Sequence, residues 1–104
     1  MKDKDGYTIR KNEDGTSDYY LHEYLVDGCK SDSEDFDELD RCATMAEVRK
    51  AINKYKKQYE WINVWDEWVE ADINEYGFTD KGSVVRQVLL SYENGVLVSR
   101  TKMI

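Results

Sequence analysis

The decapeptide Ser31–Asp40 (SDSEDFDELD) carries six carboxylates, Asp32, Glu34, Asp35, Asp37, Glu38 and Asp40, and no base. A second base-free stretch, Glu60 to Asp80, contains Asp66, Glu67 and Glu70 and places Trp61, Trp65 and Trp68 within eight residues. Carboxylates at this density repel one another and attract cations, so the first chemistry they offer is recognition of a basic surface with a fast, salt-sensitive on-rate. Phe36 and Leu39 sit inside the first run and add apolar contact area. Tryptophan among acids has the composition of an interface hot spot. If the tryptophan segment is a strand, Trp68 points away from Trp61 and Trp65, and the three cannot share one buried face.

Other chemistries find less material. His22 is the only histidine and lies in a Tyr- and Leu-rich segment, where a structural or surface role is expected. Cys29 and Cys42 flank the acidic run. Their spacing lacks the close pairs of a zinc site, and reduced thiols are expected, with a disulfide or redox role as alternatives. Asp-Lys-Asp-Gly at 3–6 and Asn-Glu-Asp-Gly at 12–15 look like fragments of calcium loops. In an EF-hand register, however, Gly6 brings Met1 and Asn12 to the terminal ligand positions, and Gly15 brings Arg10 and Leu21; both fail the acid and Glu requirements. No glycine-rich phosphate loop, nucleophile elbow or HExxH helix is present. The expectation is a protein that is not an enzyme and needs no metal or cofactor.

Charge is distributed in blocks. Of the 22 acids and 15 bases, residues 1–42 hold 13 acids and six bases, and residues 43–104 hold nine of each. The net charge of −7 therefore arises in the first half. Between the two acidic stretches lies a basic block, Arg49, Lys50, Lys54, Lys56 and Lys57. An acidic balance argues against direct binding of nucleic acid, which needs clustered Lys and Arg, and the flanking acids make local contact by the basic block unfavourable. No apolar run approaches the length of a membrane span, and the start MKDKDGYTIRK lacks a signal-peptide stretch, so the cytoplasm is the expected compartment. Three Trp and eight Tyr among 104 residues provide enough buriable surface for one ordered domain spanning 1–104.

The elements that position these residues follow from local pattern. Tyr7–Lys11 and Tyr19–Val26 are rich in β-formers and separated by a polar segment containing Asp14-Gly15, which predicts an N-terminal hairpin. Residues 29–42 read as an acidic loop or a short helical turn. Thr44-Met-Ala-Glu47 is a capping box, and Met45, Val48, Ile52, Tyr55 and Tyr59 follow at three- and four-residue spacing on one helical face. Tyr59–Val69 is open to two readings. A strand after a break near Tyr59 is favoured because Trp, Ile and Val are β-formers, while an extension of the helix through Tyr76 would keep the same apolar stripe. At the C-terminus, Val84–Tyr92 and Val96–Met103 flank Asn94-Gly95, whose tolerance of positive φ predicts a type I′ hairpin. That hairpin would set Tyr92 opposite Leu97 and Val88 opposite Thr101. Val84, Val88, Leu90, Tyr92, Leu97 and Met103 would then pack on the helix. The whole is a single small α+β domain of the ββαβββ kind with an antiparallel sheet.

A small, acidic, Tyr- and Trp-rich α+β domain with no catalytic motif is similar in composition to accessory proteins of phages and mobile elements, including DNA-mimic inhibitors of host defence nucleases. That likeness implies an anti-restriction or anti-CRISPR inhibitor that binds a basic, nucleic-acid-binding protein surface. The expected contacts are Asp32, Glu34, Asp35, Asp37, Glu38 and Asp40, with Asp66, Glu67 and Glu70 as a second patch. The alternative is a structural or regulatory module, monomeric or homodimeric, that binds through its tryptophan-rich face at Trp61 and Trp68.

Overall fold

A computed structural model describes residues 8–11, 19–74 and 77–104, with side chains placed for 19–71 and 82–104. The Tyr-, Leu- and Val-rich segment Tyr19–Cys29 forms β2, the spine of the sheet. The short strand β1, Thr8–Lys11, pairs antiparallel with its first half, Thr8 opposite His22 and Lys11 opposite Tyr19. The expected N-terminal hairpin is thus present; its turn at Asp14-Gly15 lies outside the described residues.

The acidic segment departs from the expected loop or helical turn. Only the stretch around residues 30–36 is irregular, and Asp37–Cys42 forms a strand, β3, antiparallel to the second half of β2. Gly28 stands opposite Asp37, Val26 opposite Asp40 and Tyr24 opposite Cys42, with a register shift between Val26 and Asp27. Acidic residues are poor β-formers, but an edge of β2 that β1 does not reach needs partners for its backbone groups. Two apolar side chains hold β3 down: Cys42 is buried in the core and Leu39 packs against its margin. A Cβ at Gly28 would lie 2.7 Å from Leu39 and 2.8 Å from the Tyr59 ring, so glycine permits this close approach.

Helix α1 covers Met45–Tyr55 with Thr44 as its N-cap. The Thr44 hydroxyl accepts from the Glu47 amide at 3.2 Å, and the Glu47 carboxylate accepts from the Ala43 amide at 2.9 Å, one residue before the donor expected of a capping box. The chain breaks after Tyr55, and Trp61–Asn74 forms β4, which decides between the two readings of this segment in favour of the strand. β5, Gly77–Glu93, pairs with β4, and Asn94 and Gly95 (φ 51° and 83°) turn the chain into β6, Val96–Lys102. The domain is α+β with the order βββαβββ, one strand more than expected. The antiparallel sheet runs β1-β2-β4-β5-β6, with β3 beside β1 on the outer edge of β2.

One face of the sheet is closed by α1. Val48, Ala51 and Ile52 pack on Tyr24, Val26, Ile62, Val64 and Leu90, and Tyr55, Tyr59, Val88 and Tyr92 fill the margin. The C-terminal hairpin contributes less than its pattern promised. Tyr92 does face Leu97, but a bulge after Ser91 sets Val88 opposite Lys102 instead of Thr101. β6 is exposed along its whole length, and Leu97 and Met103 stay near half exposed, because the helix lies over β2 and beside β3, at the other side of the sheet.

Candidate functional site

The six acids of the first run all lie on the surface: Asp32, Glu34 and Asp35 in the turn, Asp37, Glu38 and Asp40 on β3. Their backbone is held in place. Ser33 N–H donates to the Lys30 carbonyl at 3.1 Å, the Cys29 thiol donates to the Ser33 carbonyl at 2.9 Å, and the Asp35 amide donates to the Ser33 hydroxyl at 3.1 Å. Tyr59 donates its hydroxyl to Asp37 at 3.1 Å, and the Arg41 amide donates to Asp40 at 2.8 Å. The array is therefore anchored at both ends of β3, with Phe36 exposed beside it.

Asp66, Glu67 and Glu70 do not form a second patch. Strand alternation sends Asp66 to the helix side, where it accepts from His22 Nε2 at 2.6 Å, and Glu67 to the opposite face, where it is buried. Glu70 is exposed and accepts from the Ser83 amide at 3.4 Å. The tryptophans divide as the strand reading requires, Trp61 and Trp65 on the Glu67 face and Trp68 on the other, and all three are half-buried. Trp68 lies near Tyr20 and His22 and carries the Arg86 guanidinium 4.6 Å above its ring. The acids and tryptophans of this stretch are thus largely committed to contacts within the molecule.

The face of the sheet away from the helix holds an arrangement that no sequence pattern announced. Glu23 on β2 and Glu67 on β4 are direct cross-strand neighbours, 4% and 8% exposed. Like charges placed opposite each other in a sheet destabilise it unless each is compensated. Glu23 accepts from Arg41 Nε at 2.6 Å, and Glu67 accepts from Gln87 Nε2 at 2.6 Å. Four residues along β2 from Glu23, Asp27 accepts from the Trp65 indole N–H at 3.2 Å. Burial pushes the Asp27 carboxyl above its ordinary range; the Trp65 hydrogen bond opposes this and the nearby Glu38 charge adds to it.

A cleft of about 650 Å³ opens on these groups. Leu25, Leu39, Met103 and the Trp65 ring give it apolar surface, and Asp27, Glu38, Asp40 and Glu67 outnumber Arg41 among its charged lining residues. Met103 is placed there by backbone pairing of the C-terminal residues with Gln87, the Met103 amide donating to the Gln87 carbonyl at 2.8 Å. The cleft is continuous with β3, so the acidic edge and the open face meet at Glu38 and Asp40.

The cysteines are free and buried, and burial beside Asp40 and Glu47 pushes the Cys42 thiol up to about 11, which keeps it protonated and unreactive at neutral pH. Among the described residues no group of three His, Cys, Asp or Glu is arranged to hold a metal ion, and no helix is long and apolar enough to cross a membrane. The chain matches no protein-family model, no curated protein and no solved structure.

Proposed function

We propose that this is a non-catalytic binding protein whose acidic edge occupies the basic, nucleic-acid-binding surface of a partner protein, in the manner of a DNA-mimic anti-restriction or anti-CRISPR inhibitor. The observation that carries the reading is the placement of Asp32, Glu34, Asp35, Asp37, Glu38 and Asp40 as one exposed, backbone-anchored array. An extended strand spaces its residues at about 3.3 Å, so the β3 part of the array, Asp37, Glu38 and Asp40, is linear, as a nucleic-acid strand is. Arg41, the cation on β3, is held by Glu23 at 2.6 Å. Preorganised charge loses little entropy on docking, and its long-range field speeds encounter.

The test is capture from bacterial lysate at low and high salt, with and without competing DNA, using the native chain and a variant with all six acids changed to Ala or Lys. A DNA-binding protein captured at low salt, displaced by DNA and lost with the variant supports the reading. Capture that survives neutralisation of all six acids overturns it.

A second reading, a module that self-associates through an apolar surface, has support at β6, where Val96, Leu97 and Val98 are 64%, 49% and 52% exposed, more than at the half-buried tryptophans. It predicts a homodimer insensitive to salt, measurable by sedimentation velocity.

A further inference from the structure

The open-face cleft combines four features that together define a ligand. Its first is a buried anion short of positive charge. Glu67 is more than nine-tenths buried, and among the described residues its side chain has one hydrogen-bond partner, the neutral Gln87 amide on one oxygen. Among the described residues, no Lys, Arg or His lies within ion-pair distance of it; the neighbouring Arg41 binds Glu23 at 2.6 Å. A buried carboxylate facing only a neutral donor is costly, and a cation entering the cleft would offset that cost.

The second feature is a fixed aromatic plane. The Trp65 indole is tethered through its N–H to Asp27, so its ring stands as one wall of the cleft without having to be ordered on binding. The third is the excess of negative charge. Arg41 also lines the cleft but is matched to Glu23, so the carboxylates of Asp27, Glu38 and Glu67 remain in excess around it. The fourth is apolar surface at Leu25 and Met103, which suits a methylene chain better than a bare ion. These carboxylates do not converge as metal ligands do. A planar, weakly hydrated cation on an aliphatic stem matches all four features. A guanidinium can lie on the indole face while its N–H fork reaches carboxylates, which a compact, strongly hydrated ammonium does less well.

We propose that this cleft binds an arginine side chain, supplied by the basic partner inferred above, so that for the source of the arginine the inference rests on that reading. The guanidinium stacks on Trp65 and donates to Glu67 and Asp27, its methylenes pass between Leu25 and Met103, and the acidic edge engages the rest of the basic surface. One arginine of the partner is thereby singled out, which gives a broad electrostatic attraction a register.

The experiment uses N-acetyl-arginine methylamide, with the lysine counterpart as comparison, titrated into the full chain while the Trp65 indole N–H resonance is followed by NMR. A single capped residue is a small ligand, so a dissociation constant on the order of millimolar is expected. Saturable movement of the Trp65 signal is expected, several-fold tighter for arginine than for lysine. Glu67→Gln, which keeps shape and removes charge, should weaken binding by about tenfold. Asp27→Asn serves as a second variant, and thermal unfolding of both confirms that the fold is kept. No saturable shift, equal binding of the two amides, or binding indifferent to both substitutions would overturn the proposal. The two readings fail separately. If the amide binds and the six-acid variant still captures its partner, the acidic-edge reading falls alone; if capture needs the six acids but the amide does not bind, the cleft falls alone.

Discussion

The two faces of this sheet are built from alternate residues of the same strands, yet they are put to different uses. Toward the helix, β2 and β4 present Tyr24, Val26, Ile62 and Val64, buried and apolar except for one phenol, and further along the same face the His22–Asp66 pair. Toward the other side the same strands present Glu23, Leu25, Asp27, Trp65 and Glu67, which combine buried carboxylates with a half-buried aromatic wall, and beyond them the buried Leu21 and Val69. The helix face gains stability in proportion to the apolar area it removes from water. The open face holds ionised groups that a comparable apolar surface would replace at no loss, and often with a gain, in stability. The helix face sets its one such contact, His22–Asp66, beside an apolar core, whereas the open face places two buried carboxylates directly opposite each other.

The sharpest way to break this comparison is truncation on each face. Ile62→Ala removes a fully buried side chain beneath the helix and should cost about 3 kcal/mol in urea denaturation. Leu25→Ala, half-buried on the cleft, should cost about 1 kcal/mol. Equal losses would mean that the open face is a second core, and the distinction between the faces would fail.

The ionic groups permit a finer cut. Arg41→Met leaves Glu23 buried without its cation and should destabilise by about 2 kcal/mol, less than for a fully buried pair because the Arg41 side chain is one-third exposed. Adding Glu23→Leu should return most of that loss, so a double-mutant cycle reports the coupling. Glu67→Leu should move stability the other way, by up to about 1 kcal/mol upward, since it removes a buried charge that lacks a cation. A large loss on Glu67→Leu would show that Glu67 serves the fold.

How legible these features are in the sequence depends on whether the controlling interaction is local. The helix and its Thr44 cap, the break before Trp61 and the Asn94-Gly95 turn follow from contacts a few residues apart, and each appears where the sequence places it. β3 is illegible because its acidic residues disfavour a strand by propensity, and only the free edge of β2 and the anchors Leu39 and Cys42 override that preference. The packing of β6 fails for a similar reason, since a bulge after Ser91 and the position of the helix are tertiary facts. The acidic array is plain as composition. The cleft is not, because Glu23 meets Arg41 across 18 residues and Glu67 meets Gln87 across 20, and no periodicity encodes the register that aligns them. What the sequence does carry is the presence of Glu23 and Asp27 within a strand rich in Tyr, Leu and Val, a signal that gains meaning only when their neighbours are known.

The smallest expected effect tests the open face most directly, through Asp27. Its carboxyl is held above the ordinary aspartate range chiefly by burial, so the folded chain keeps this proton at a pH where the unfolded chain has released it. Stability contributed by the protonated form is complete below the unfolded value and is lost as pH rises from about 4 through the higher folded value. Asp27→Asn keeps an acceptor for the Trp65 indole N–H but cannot ionise. The difference in stability between native chain and variant should therefore grow with pH across that window and stay flat above it. Comparing the two proteins cancels the background from the other carboxylates, which a pH profile of the native chain alone would not do. A difference that is flat from pH 3 to 7 would place Asp27 in a water-like setting, and the cleft would then lose the low dielectric that makes its carboxylates selective for a desolvated cation. Adding arginine amide should also shift the window downward, because a guanidinium facing Asp27 favours the ionised form and so opposes what burial does to it.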